Sequence, residues 1–186
     1  MGKPRPQKKK SSKSREKSVL GPGGSVSKRN MNQDPSALLD QATILLQTGR
    51  VEEALASAQE ALDITSGDAT KQLPAWNLLG EINVELGEVD TARQNFLHAV
   101  QIDPEGTIPE AEGGGAEKFL WLAQLSDQGG VDSVQWFEKG VSSLRQILQA
   151  SEGKASKENA SDIEEKKVKL SNALCAVAEI YMTDLS

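Results

Sequence analysis

One cysteine, Cys175, and one histidine, His98, are the sequence's whole supply of thiol and imidazole. A lone thiol excludes an internal disulfide and a thiolate zinc site. A lone imidazole leaves no partner for a metal cluster or a catalytic triad. Aromatics are scarce at 4%, although the 37% of hydrophobic residues is enough for a core. No apolar run approaches the roughly 20 residues of a membrane span, and the N-terminus has charge without the apolar stretch of a signal peptide. These absences predict a soluble protein of a reducing compartment, nucleus or cytoplasm, with no membrane contact, cofactor or metal.

Phosphate-cradling motifs are missing too. The GGG at 113–115 follows no strand and lacks the downstream lysine of a P-loop, and GPGG at 21–24 reads as a flexible linker by the same test. The carboxylate pairs Glu52/Glu53 and Glu164/Glu165 have acid–base capacity in principle but read as solvated faces of amphipathic helices. His98 reads as a surface or interhelix polar residue, and Cys175, within ALCAVA, as a small buried or groove-facing residue with no base to activate it. The expectation is a protein that is not an enzyme.

The net charge of -6 conceals a segregation. Residues 1–30 hold ten Lys or Arg against Glu16 alone, whereas residues 31–186 hold eleven against 26 Asp or Glu. The basic segment is rich in Lys, Ser, Pro and Gly and cannot bury enough apolar surface to offset the entropy of ordering, so residues 1–33 are expected to be a disordered tail. Its cluster Lys8, Lys9, Lys10, Lys13 and Arg15 reads as a nuclear import signal for an import receptor, as a nucleic-acid contact, or as plain solvation.

From Asp34 the pattern changes. Asp34 and Pro35 supply a helix start, and SALLDQATILLQTG places apolar residues at helical spacing. Shifted by 38 residues, Leu38 falls on Trp76, Ala42 on Gly80, Gly49 on Gly87, Ala54 on Ala92, Ala58 on Phe96 and Ala61 on Ala99. This is an internal repeat. Trp76, Leu79, Gly80, Gly87, Ala92, Phe96, Ala99 and Pro104 sit where the 34-residue tetratricopeptide (TPR) pattern expects them, with Asn83 replacing the usual tyrosine. The chain resembles the TPR superfamily, which implies an all-α solenoid of helical hairpins in a right-handed superhelix. Small residues at Gly80, Ala92 and Ala99 are expected to accept Trp76 and Phe96, with Gly87 making the turn.

Four units are expected within residues 34–186: 35–67, 73–104, a degenerate 116–148, and an incomplete 167–186. Helices are expected near 35–48 and 51–64 in the first. The link SGDATKQL is about four residues longer than the period allows. The third unit keeps a glycine turn at Gly129 and Gly130 and helix spacing at Ser133, Phe137 and Gly140. The polar insertions DPEGTIPEAEGGG and QASEGKASKENASD are expected to be mobile loops, the second lengthening into helix through IEEKKVKL with Glu164 or Glu165 pairing to Lys at i+3 or i+4. A last unit of one helix leaves Leu174, Val177 and Ile180 partly uncovered, which predicts a longer parent array.

The TPR resemblance also implies ligand positions on the first helix of each unit. By register these are Ser36, Leu39, Thr43, Leu46 and Gln47, then Pro74, Asn77, Glu81, Val84 and Glu85, then Leu120, Gln124 and Asp127, and finally Cys175, Glu179 and Met182. The lining is apolar and acidic with no Lys or Arg, unlike TPR cochaperones that grip the carboxylates of heat-shock chaperones. Such a groove favours a basic, extended peptide and disfavours nucleic acid.

The basic tail, the acidic body with long loops and the run ALCAVAEIYMTDLS together resemble dedicated assembly chaperones of ribosomal proteins, most of all the TPR chaperones of large-subunit ribosomal protein four. The resemblance implies a monomeric, non-catalytic protein that shields a basic segment of that client until it joins the 60S subunit. The alternative is a TPR scaffold joining proteins in a nuclear complex.

Overall fold

Asp34 opens the first helix. Its carboxylate accepts a hydrogen bond from the Ser36 amide at 3.1 Å, and Pro35 fills the first turn, where an amide has no helical partner. The computed structural model describes residues 33–152 and 160–184. The expected disordered tail up to residue 32, its cluster Lys8, Lys9, Lys10, Lys13 and Arg15, and the centre of the second insertion lie outside the described residues.

Among the described residues the chain is all-α, without strands. The helices are α1 (Pro35–Gln47), α2 (Val51–Ile64), α3 (Ala69–Glu85), α4 (Val89–Ile102), α5 (Glu117–Gln124), α6 (Gly130–Glu152) and α7 (Ala160–Thr183), with a 3₁₀ turn at Glu110–Glu112. No described helix is long and apolar enough to cross a membrane. The pairs α1/α2, α3/α4 and α5/α6 are successive hairpins, and α7 follows as a further first helix.

The 38-residue repeat holds down to single hydrogen bonds. Gly49 and Gly87 both adopt φ 76°. The Gly49 amide donates to the Leu46 carbonyl at 3.0 Å and that of Arg50 to Leu45 at 2.9 Å; Gly87 donates to Val84 at 3.0 Å and Glu88 to Asn83 at 2.9 Å. This is the Schellman arrangement, in which a left-handed residue lets the chain satisfy the last helical carbonyls. An added Cβ at Gly49 would meet nothing within 4 Å, so only the backbone strain remains. Gly49→Ala should therefore cost about 1 kcal/mol of unfolding free energy in urea titration; an unchanged midpoint would mean the turn relaxes out of the left-handed region.

Among the described residues three apolar clusters run along the array. Ala42, Leu45, Ala54, Ala58, Leu79 and Ile82 join α1, α2 and α3. Ala92, Phe96 and Leu122 join α4 to α5, and Ala116, Leu120, Ala123, Phe137, Val141, Leu144 and Ala173 join α5, α6 and α7. Gly80 is a contact surface, since a Cβ there would lie 2.5 Å from the Phe96 ring. Trp76 has a different seat from the one expected: it packs against the α1–α3 cluster and stacks on His98 with ring centroids 4.5 Å apart. A large ring at this position reaches the preceding hairpin, whereas Phe96 packs on Gly80 of its own and on α5 of the next. Asn83, in place of the usual tyrosine, is buried and donates to the Leu79 carbonyl at 2.6 Å.

None of the three long connections is a loop throughout. The extra residues before Leu73 form a first helical turn, because Asp68 caps α3 and accepts from the Lys71 amide at 3.4 Å; α3 then carries Pro74 inside it. The insertion 103–115, expected to be mobile, is instead packed. Asp103 is 2% exposed and Lys118 1%. The Lys118 ammonium donates to Asp103 Oδ2 and to the Gly115 carbonyl, each at 2.7 Å, while Asp103 Oδ1 accepts from the amides of Thr107 and Ile108. Burial opposes the Asp103 charge, but Lys118 and the two amides more than offset it and hold the carboxyl below the usual carboxylate range. Composition misses this, because glycine and proline announce a turn and say nothing about a buried ion pair beneath it. Around the second insertion, α6 continues through Glu152 and α7 begins at Ala160, well before Lys167. Glu164 and Glu165 pair with Lys167 at 3.8 Å and Lys169 at 2.8 Å, at the expected i+3 and i+4 spacings.

On α7, Val177 and Ile180 pack partly against the α5–α6 cluster, whereas Leu174 is 41% exposed.

Candidate functional site

The first helices of the hairpins, α1, α3, α5 and α7, carry the residues expected to meet a ligand. Ser36, Leu39 and Pro74 line one cleft of about 790 Å³ with Asp34, Asp68, Lys71 and Glu112, so positions on α1 and α3 do converge, but Lys71 departs from the expected lining without Lys or Arg. Thr43 is half-buried and its hydroxyl donates to the Leu39 carbonyl at 2.9 Å. Leu46 packs against the α1–α3 cluster and Val84 against the Phe96 cluster, so each shows a ligand only part of its side chain. Glu85 and Gln47 are exposed.

Asn77 is committed within the chain. Its amide donates to the Gly113 carbonyl, and Gly113 lies so close to Pro74 that a Cβ would fall 2.6 Å from the proline Cα. The packed insertion is thereby seated on α3 and brings Glu110 and Glu112 to this side of the molecule. Lys166 of α7 holds Glu110 at 2.6 Å.

Glu81 feels the charges of Glu117 and Lys169. Burial, then the Glu117 charge, push its carboxyl up to about 6, with Lys169 acting in the opposite direction. Lys169 donates to Glu117 and lies 2.8 Å from Glu165. Burial works against the Lys169 charge, but its hydrogen bonds to the two carboxylates hold the ammonium above its ordinary range.

Of the later expected positions, Gln124 and Leu120 line a second cleft of about 380 Å³ between α5 and α7. Asp127, Cys175, Glu179 and Met182 are exposed outside it, Met182 at 77%. On α7 the residues that do line this cleft include Lys169, Asn172 and Ala176. A signal for them was present: Lys169, Asn172 and Ala176 recur at helical spacing once α7 starts at Ala160. His98, exposed and stacked on Trp76, stands apart from both clefts. Among the described residues no group of three His, Cys, Asp or Glu could hold a metal ion.

Hairpins repeating at a fixed offset, glycine seats for aromatic rings and paired left-handed turns define a tetratricopeptide repeat solenoid, and residues 34–105 match the tetratricopeptide repeat family. The chain has the fold of that family, and its first two hairpins carry the sequence match. It is similar to the "Probable assembly chaperone of rpl4" of Emericella nidulans, 66% identical over 151 residues that cover 81% of this chain and 39% of that protein. It is 35% identical over 133 residues to the protein of the same description from Schizosaccharomyces pombe, covering 72% of this chain and 34% of the relative. A solved structure, "Assembly Chaperone of RpL4 (Acl4) (Residues 1-338)", superposes with a TM-score of 0.78 at 44% identity, over 83% of this chain and 56% of that one. The chain thus spans little more than a third of the length of these curated relatives.

Proposed function

We propose that this chain captures a basic, extended segment of newly made ribosomal protein rpl4 on the face formed by α1, α3, α5 and α7, shields it, and escorts it to the assembling 60S subunit. The observation that carries the reading is the likeness to the solved assembly chaperone of RpL4, at 44% identity over 83% of this chain. The charge pattern supports it. A body with 26 Asp or Glu against eleven Lys or Arg attracts a basic segment and repels RNA, the surface to which a free basic segment would otherwise adhere. Capture and release require no catalytic group, and the chain works as a monomer in cytoplasm and nucleus, with the cluster at Lys8, Lys9, Lys10, Lys13 and Arg15 read by an import receptor.

The test is co-purification of rpl4 with the full chain at rising salt. Capture should weaken steeply with salt and fall in a Glu81→Lys, Glu85→Lys variant. Glu85→Lys alone, at an exposed position, should give a smaller loss without disturbing the fold. Salt-insensitive partners that survive the charge reversal would instead point to a scaffold.

A further inference from the structure

The cleft between α5 and α7 is lined by two matching helical stripes. From α5 come Glu117, Trp121 and Gln124, and from α7 Lys169, Asn172 and Ala176, spacings that put each trio on one face. Phe137 of α6 adds a further apolar wall. Trp121 is half-buried, its ring stacked 6.0 Å from that of Phe96. The lining thus combines apolar and aromatic side chains with Glu117, Gln124, Lys169 and Asn172.

The charges around this cleft do not balance. Lys169 is divided between Glu117 and Glu165, and both Glu117 and Lys169 act on the carboxyl of Glu81. Neighbouring Lys166 is engaged by Glu110 at 2.6 Å. Lys166 also acts on Glu165, so four carboxylates, Glu81, Glu110, Glu117 and Glu165, face two ammoniums. The carboxyl of Glu81 is raised to about 6 by its burial and then by the Glu117 charge, which Lys169 only partly offsets.

One side chain suits both the walls and the rim. An arginine stem lies along apolar surface while its guanidinium stays near polar groups. The guanidinium stacks on aromatic rings and takes carboxylate oxygens in a fork. A lysine ammonium is more strongly hydrated and has no plane to stack, and an aromatic side chain would leave the carboxylates short of a cation.

We propose that the α5–α7 cleft receives an arginine side chain of the captured segment, its guanidinium joining Glu117 while Lys169 remains on Glu165. The inference rests on the capture of a basic client proposed above.

The test uses the full chain with the photo-crosslinking residue p-benzoylphenylalanine at Ala176, co-expressed with rpl4. Illumination should link position 176 to a short rpl4 segment containing arginine. Replacing those arginines one at a time by glutamine should identify one whose loss weakens capture by about tenfold or more. That loss should largely vanish in a Glu117→Gln background whose circular dichroism matches the parent. Capture without any crosslink from position 176 would overturn the cleft assignment and leave the client reading intact. So would a crosslinked segment whose sensitive residue is aromatic. Failure of the unsubstituted chain to capture rpl4 would sink the client reading, and this inference with it.

Discussion

Lys118→Met should cost about 3–5 kcal/mol of unfolding free energy, the range for removing one partner of a buried ion pair. The methionine fits the space left by the lysine stem, so the loss would come from charge. Asp103 would keep two backbone amides, at 2.9 and 3.3 Å, and lose the ammonium at 2.7 Å. A carboxylate sealed from water with its counter-ion gone must either stay charged at high cost or take up a proton. Lys118→Met combined with Asp103→Asn should recover much of the loss, because a neutral amide tolerates burial far better than an anion. Urea denaturation of the three variants at pH 7.5 measures both effects. If the single change costs under about 1 kcal/mol, within the range of exposed pairs, the pair is hydrated in solution and the insertion is less firmly held than described.

Glu81→Gln should act in the opposite direction, stabilising the fold by about 2 kcal/mol near neutral pH, from 1.36 kcal/mol for each pH unit between 4.5 and about 6. Because the folded pKa is raised, the folded state holds this proton more tightly than the unfolded chain does. Stability therefore falls as pH rises from 4.5 to about 6, and the penalty is complete above that value. Unfolding free energies of parent and variant, taken at pH 4.5 and at pH 7.5, should diverge by about 2 kcal/mol over the interval. A constant difference would mean that Glu81 is hydrated and titrates normally. The wild-type residue thus holds a charge at a site that disfavours it, as expected of a group placed to meet a cation.

The helices and tight turns were legible because each rests on local chemistry. Asp34 caps and Pro35 starts a helix whatever lies beyond it, and Gly49 and Gly87 bend the chain the same way in two hairpins. The pairing of Phe96 with Gly80 was legible too, since small and large residues recur at fixed offsets. What the sequence withheld depends on partners far along the chain. Lys118 is a lone cation within EKFLWLAQ, and only the folded insertion brings Asp103 under it. Asn77 looked free for a ligand, yet Gly113, 36 residues on, takes its amide. On α7 the family register pointed to Cys175, Glu179 and Met182, while the side facing α5 is set by how the longer helix leans on Ala173, Val177 and Ile180.

The three apolar clusters give the array no keystone. Each is owned by neighbouring hairpins, so a small hinge at one seam need not melt the next. Slight bends at successive seams can then add along the stack without any one hairpin unfolding.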